Sequence, residues 1–263
     1  MTRGHVALVG IVAVAFALLL ARMLPHAPLA AEVPRSTAIY ARDGELMRLT
    51  LANDEQYRLW TPLDAMAPAL PQAVQLYEDR WFYWHPGVNP VASLRSAAVT
   101  LLGRPRQGGS TLSMQLARRL YRIDSRTVGG KLTQIAAALW LEARYSKRDI
   151  LEAYLNVAPY GGNIEGVGAA SLIYFHKRAH DLTLPELLAL AVIPQNPRRR
   201  LAAQRGNVAA DLPTSLARAR ERLWQTWLAR HPDDRRFASD LTLPLKPDSP
   251  ASLPYLAPHL SDL

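Results

Sequence analysis

Residues 131–156 read KLTQIAAALWLEARYSKRDILEAYLN, and this stretch decides the fold class. Its first half, Lys131 to about Arg144, is rich in helix formers and carries no Pro. Ser146-Lys147-Arg148-Asp149 then repeats the pattern of a capping box and opens a second helix that turns Ile150, Leu151, Tyr154 and Leu155 inward. Helical signals continue on both sides. Upstream, Thr111 to Arg122 places Leu112, Leu116 and Leu120 on one stripe and Thr111, Gln115 and Arg118 on another, with Gln107-Gly108-Gly109-Ser110 breaking the chain before it. Asn89 followed by Pro90 is an N-cap signal for a helix with Val91, Leu94, Ala98 and Leu101 on one face. From Pro68, Leu70, Val74 and Tyr77 share a face, and Glu78-Asp79-Arg80 follow at that helix's end. Downstream, Gly161, Gly162, Gly166 and Gly168 mark a flexible loop, and Thr183-Leu184-Pro185-Glu186 is a second capping box before an apolar helix that stops at Pro194. Leu216, Leu223, Trp224, Trp227 and Leu228 give a last amphipathic helix. The β signal is minor: Asp43-Gly44 sits between two alternating runs within Ile39–Trp60. The tail from Pro244 to Pro258 reads as a proline-rich linker.

The chain has 263 residues, 49% of them hydrophobic and 20% charged, which is an ordinary globular composition rather than a disordered one. Its formal net charge of +9 favours polyanions, among them nucleic acid, an anionic bilayer or a phosphorylated substrate. Without cysteine there is no disulfide framework, thiolate zinc site or cysteine nucleophile. Val6 to Ala21 carries no charge and lies between Arg3 and Arg22. It is short beside the roughly 20 apolar residues of a spanning helix and longer than the roughly 7–15 of a signal-peptide core. Two readings therefore compete, an uncleaved anchor with a cytoplasmic N-terminus and a signal peptide cut near Ala30 or Ala31; both export the remainder.

Glu78 to Gly87 packs acids, a cation, aromatics and a His85-Pro86-Gly87 turn into one short segment. A carboxylate beside large aromatics is partly desolvated and becomes a better base near neutral pH. An exposed Glu-Arg pair over a surface aromatic cluster fits the same spacing, and His85 alone reads as a turn or core histidine. Gly108-Gly109-Ser110-Thr111 at a helix start offers backbone N–H groups and the positive end of the helix dipole to an anion, with Gln115 and Arg118 next along the same face. A plain Gly-Gly turn with a Ser cap is the alternative, and the segment lacks the Gly-Lys-Ser/Thr ending of a nucleotide P-loop.

Taken in order, Glu78-Asp79-Arg80-x-Phe82 with His85-x-Gly87, then Gln107 to Arg118, then Glu142-x-Arg144-Tyr145-Ser146-Lys147 with Ile150 to Asn156, resemble the motifs of glycosyltransferase family 51. The resemblance covers roughly Ile39 to Arg200. Ala158 to Asn163 and Pro194-Gln195-Asn196-Pro197 are most similar to the 1C subtype of its class A penicillin-binding proteins. It implies a mainly α, lysozyme-like helical glycosyltransferase domain with a small membrane-proximal jaw containing minor β, preceded by one N-terminal transmembrane helix. Residues 1–5 would be cytoplasmic, 6–24 the anchor, 25–38 a tether, 39–240 the catalytic domain and 241–263 the tail. Implied with it are the cytoplasmic (inner) membrane, with catalysis on the outer side, and lipid II and the growing lipid-linked glycan as partners. The basic charge is thereby assigned to the membrane and pyrophosphate rather than nucleic acid, and other wall-synthesis proteins join the partner set.

By the same resemblance Glu78 is the general base for inverting transfer, and Arg80, Ser110, Thr111, Gln115, Arg118 and Lys131 hold the pyrophosphates. His85, Gly109, Gln134, Tyr145, Ser146 and Lys147 complete the substrate-binding set, although a helix cap accounts for Ser146 equally well. No cofactor is required; a divalent cation, Mg or Mn, at the pyrophosphate is compatible, and its ligands stay unknown. Two positions depart from the family pattern: Asn89 stands where Asp is usual, and Gln134 where relatives carry a second glutamate. Gln134 would then only orient the leaving group by its amide. Ser-x-x-Lys occurs nowhere in the sequence, so a monofunctional protein without a penicillin-reactive serine is expected. A catalytically silent scaffold of a wall-synthesis complex and a lytic enzyme of similar fold are the alternatives.

Overall fold

The computed structural model describes residues 5, 12, 16, 20, 22–101, 109–201, 214–243, 245 and 247–256. In chain order the elements are β1 (Ala38–Tyr40), β2 (Leu46–Leu49), α1 (Ala69–Glu78), α2 (Pro90–Leu101), α3 (Leu112–Leu120), α4 (Val128–Arg144), α5 (Lys147–Val157), β3 (Pro159–Gly161), β4 (Ile164–Glu165), α6 (Val167–Phe175), α7 (Leu184–Val192), α8 (Pro197–Arg200) and α9 (Thr214–Leu228). The protein is mainly helical, as expected. It divides into two compact units, Met1–Glu32 with Trp81–Leu151 and Val33–Arg80 with Glu152–Leu263.

In the first unit α2 starts where Asn89 accepts from the Ala92 amide at 3.0 Å; the side chains of its expected stripe at Leu94, Ala98 and Leu101 lie outside the described residues, as do Gln107 and Gly108. Helix α3 packs on α4, burying Leu112, Met114, Leu116 and Ala138 completely. Each of the leucine and methionine side chains contributes about 1.5–3 kcal/mol. Helix α4 begins three residues before the expected Lys131 because Thr127 caps it, accepting from the Gly130 amide at 3.0 Å. Ahead of the helices, the tether lies along α4: Tyr145 Oη donates to the Ala27 carbonyl at 3.1 Å, and Arg22 donates to the Glu142 carbonyl at 3.2 Å. Among the described residues no helix is long and apolar enough to cross a membrane; the apolar run Val6 to Ala21 falls almost wholly outside them.

The second unit is built on α1, α7 and α9, which pack pairwise on one another. Leu70, Val74, Leu188, Leu190, Leu216 and Leu223 supply their shared core. Helix α6 is buried from Val167 to Tyr174, as its apolar character all round requires. Strands β1 and β2 form an antiparallel hairpin around Asp43-Gly44, where Gly44 has φ +89° and Asp43 accepts from the Glu45 amide at 3.0 Å.

Two expectations are corrected here. The glycine run after Tyr160 is not a flexible loop: Gly161 and Gly162 make the β3–β4 turn at φ +108° and +57°, and Gly168 sits inside α6 where a Cβ would lie 2.5 Å from the Leu59 carbonyl. Gly161 and Gly168 serve close packing and Gly162 a left-handed turn in open space, neither of which a sequence can distinguish from flexibility. Nor is the tail an unpacked linker over residues 247–256. Asp248 donates its amide to the Tyr174 carbonyl at 3.0 Å, Leu256 donates to Met47 at 3.1 Å, and Arg48 lies over the Tyr255 ring at 4.5 Å. Its prolines remove donors, but the remaining amides suffice to dock it.

Candidate active site

Glu78 and Arg80 belong to the second unit, and the other candidate residues belong to the first. Glu78 is the last residue of α1, followed by buried Asp79 and exposed Arg80. Its helix end is pinned through Tyr77, whose Oη donates to Gln195 Oε1 at 2.8 Å and accepts from Arg200 at 2.9 Å. Buried Arg200 also donates to the Gln195 side chain at 3.0 Å and to the Ser215 carbonyl at 2.7 Å, tying the segments after α7 and at the start of α9 to α1. Tyr160 is fully buried with no hydrogen-bond partner for its hydroxyl. Burial holds this phenol protonated far above its ordinary range, and the charges of Tyr174 and Glu78 act in the same direction. A neutral O–H donor thus lies within electrostatic reach of the Glu78 carboxylate.

In the first unit the start of α3 is shaped by Gly109, where a Cβ would stand 2.6 Å from Ser96 Cβ and 3.0 Å from the Ala92 carbonyl, so only glycine lets the segment lie against α2. The cap is Thr111 rather than Ser110. Its hydroxyl accepts from the Met114 amide at 3.1 Å and donates to the Gly87 carbonyl at 2.5 Å, fastening the His85-Pro86-Gly87 turn to α3. Ser110 is left to accept from Lys131 Nζ at 2.9 Å, and Gln134 Oε1 accepts from the same ammonium at 2.9 Å. Burial, and then the neighbouring Arg118, lower the Lys131 pKa. Arg118 is exposed on α3 with Gln115 half-buried one turn before it, and α3 has no acid in its first turn. One cation, Lys131, thus stands at a helix start whose oxygens are neutral, and a second, Arg118, lies on the last turn of the same helix, an electrostatic arrangement that favours an anion.

The remaining candidates have partners within the protein. Lys147 Nζ lies 2.7 Å from Glu142 Oε1 and 2.7 Å from the His85 carbonyl, and 4.3 Å from the centre of the Phe82 ring. Buried Glu142 also accepts from Ser113 Oγ. His85 is buried and edge-on to Phe82 at 6.4 Å, the core-histidine arrangement. Ser146 and Asp149 cap α5 reciprocally, with Ser146 Oγ 2.6 Å from Asp149 Oδ2. Sequence reasoning assigned no role to Glu142, Tyr160 or Arg200. Glu142 lies five residues before Lys147, across a helix break, a spacing with no periodic signal. Arg200 ends a run of surface-like arginines, and Tyr160 was hidden among glycines.

A protein-family model described as "Transglycosylase" matches residues 43–223. The chain is 43% identical over 169 residues to penicillin-binding protein 1C of Escherichia coli, covering 64% of this chain and 22% of that protein. It is 39% identical over 142 residues to the biosynthetic peptidoglycan transglycosylase of Rhodospirillum centenum, covering 54% and 62%. Penicillin-binding protein 1A from Haemophilus influenzae aligns in structure with a TM-score of 0.43 at 18% identity, over 82% of this chain and 22% of that one. The chain therefore spans from about a fifth to three fifths of the length of these proteins.

Proposed function

We propose, from the premise that this chain belongs to the transglycosylase family, that it polymerises lipid II into glycan strands for the bacterial cell wall. In this reading a polyprenyl diphosphate leaves the donor as the acceptor's 4-hydroxyl attacks its anomeric carbon with inversion. Glu78 takes the proton of that hydroxyl as the new C–O bond forms, and the electron pair of the broken bond goes to the diphosphate. The observation that carries the proposal is the start of α3, where the Lys131 ammonium donates to Ser110 beside an acid-free first turn, with Arg118 on the last turn of the same helix within electrostatic reach of that ammonium. A glycan-cleaving enzyme has no lipid pyrophosphate to hold and no need of that cradle. The donor's negative charge grows on the leaving group as the bond breaks, so fixed cations there stabilise the transition state more than the ground state.

The residues at the cradle do not fit a divalent metal ion. Lys131 and Arg118 repel a cation, and the side-chain oxygens around Lys131, those of Ser110 and Gln134, are neutral. We also place the protein at the inner membrane, single-pass, with Val6 to Ala21 as the anchor and the catalytic part outside; other wall-synthesis proteins are partners in this reading. N-terminal sequencing of the mature protein should start at or near Met1, and a start after Ala30 or Ala31 would refute the anchor. The test of function is turnover of purified full-length protein on lipid-linked disaccharide-pentapeptide in detergent. Polymer is the expected product; cut glycan from added strands, or no product from folded protein, rejects the proposal.

A further inference from the structure

We infer that Gln134 is a positioning residue that fixes the Lys131 ammonium at the start of α3, completing a cradle that neutralises pyrophosphate without a divalent metal ion. This rests on reading the cradle as the pyrophosphate site. Gln134 is 1% exposed, and both ends of its amide are used. Nε2 donates to the Met114 carbonyl at 2.7 Å, and Oε1 accepts from Lys131 Nζ at 2.9 Å. The orientation is forced, because a carbonyl can only accept and an ammonium can only donate. The sequence reading, in which the amide orients the leaving group directly, is thereby replaced: the amide orients the lysine.

Chemistry explains why an acid does not do the same work here. A carboxylate of the same length would turn an oxygen toward the Met114 carbonyl, acceptor against acceptor, and lose the bond that ties α4 to α3 inside the core. It would also pair with Lys131 and spend the charge that a pyrophosphate needs. The amide keeps the full positive charge available. Ser110 Oγ and Gln134 Oε1 direct two of the three ammonium N–H groups, which leaves the third a defined direction. Charge, direction and rigidity come from side chains alone, so the metal that two carboxylates would recruit has neither ligands nor function at this cradle.

The test uses full-length protein in detergent, inorganic pyrophosphate as the competing ligand, and polymerisation of lipid-linked disaccharide-pentapeptide with and without EDTA. Native protein should polymerise equally in both. Gln134→Met, which keeps the volume and removes the amide, should weaken pyrophosphate inhibition by about tenfold or more, the usual effect of a lost hydrogen bond to a charged group. In a Lys131→Met background it should have no further effect, because Gln134 acts through Lys131. If Gln134→Met does not fold, Gln134→Leu carries the same cycle, since it also removes the amide and adds no charge. Additive losses in the cycle, unchanged inhibition, or activity abolished by EDTA would each overturn the inference. If folded native protein binds pyrophosphate but makes no polymer, the proposed function fails while the cradle assignment stands.

Discussion

Helices α3 and α7 both begin at a threonine, and the two starts serve opposite purposes. At α7, Thr183 donates its amide to Glu186 Oε2 at 2.7 Å, and Lys177 Nζ sits 2.8 Å and 3.0 Å from the two oxygens of that carboxylate. Donor, acid and counter-ion close on one another, so the positive helix end is neutralised from within. At α3 the cap is equally sound but no acid follows it, and the charge bonded to the helix start is that of Lys131, through Ser110. The same local structure has been left electrostatically incomplete. The difference teaches that a cap stabilises whether or not it is neutralised, and that under the proposed function it is the missing acid, not the threonine, that suits the start of α3 to an anion.

Ways to break this comparison run from large effects to small. The largest touches neither start: Glu78→Gln should lower polymerisation by about 10²–10⁴, the usual cost of losing a general base, with the fold intact. Near-native polymer from that variant would mean that the base lies elsewhere. Next comes a matched pair. Lys131→Met should cost about 10²–10³ in rate, as for the loss of one fixed donor to a developing anion, whereas Lys177→Met should leave the rate per folded molecule unchanged. If the two exchange roles in the assay, the comparison is wrong.

A pH series sharpens the same point. The Lys131 pKa is lowered in the folded protein, so its charge, and with it pyrophosphate inhibition, should fade as pH rises through a range below the ordinary value of 10.5. The sign for stability is opposite. The unfolded chain keeps that proton to higher pH than the folded one, so the Lys131 contribution to stability increases over the same window. Inhibition that persists undiminished to the ordinary lysine range would contradict the burial of Lys131 and its crowding by Arg118. Smaller still, Glu186→Ala should cost about 1 kcal/mol of stability, read as a lowered Tm, through loss of its cap interaction. No effect at all is expected from labelled penicillin, which should leave this chain unlabelled because it has no Ser-x-x-Lys.

Much of the fold was legible because its signals are local. Asn89, Ser146 and Thr183 announced the starts of α2, α5 and α7. The leucines of α3 and the tryptophans of α9 declared their buried faces by spacing alone. The helix start at Ser110-Thr111 could be read for the same reason. What the sequence concealed depends on contacts between distant residues. No periodicity shows that Gly168 makes room for Leu59, that Arg200 reaches Tyr77, or that a proline-rich tail docks on Met47. Lys147 shows the limit most clearly: its motif implies a place in the site wall, while its ammonium is given to Glu142 and the His85 carbonyl.

The division of the chain has a consequence for the order in which the protein matures. Helix α1, which ends in Glu78, packs on α7 and α9, so the seat of Glu78 is assembled from segments synthesised far apart in time. Contacts of such large sequence separation close late in folding, because the intervening loop must first lose its freedom. The α3–α4 cradle needs only neighbours in sequence and can form early. Under the proposed function, a chain still emerging would complete the surroundings of Lys131 before those of Glu78, and activity would wait for α9.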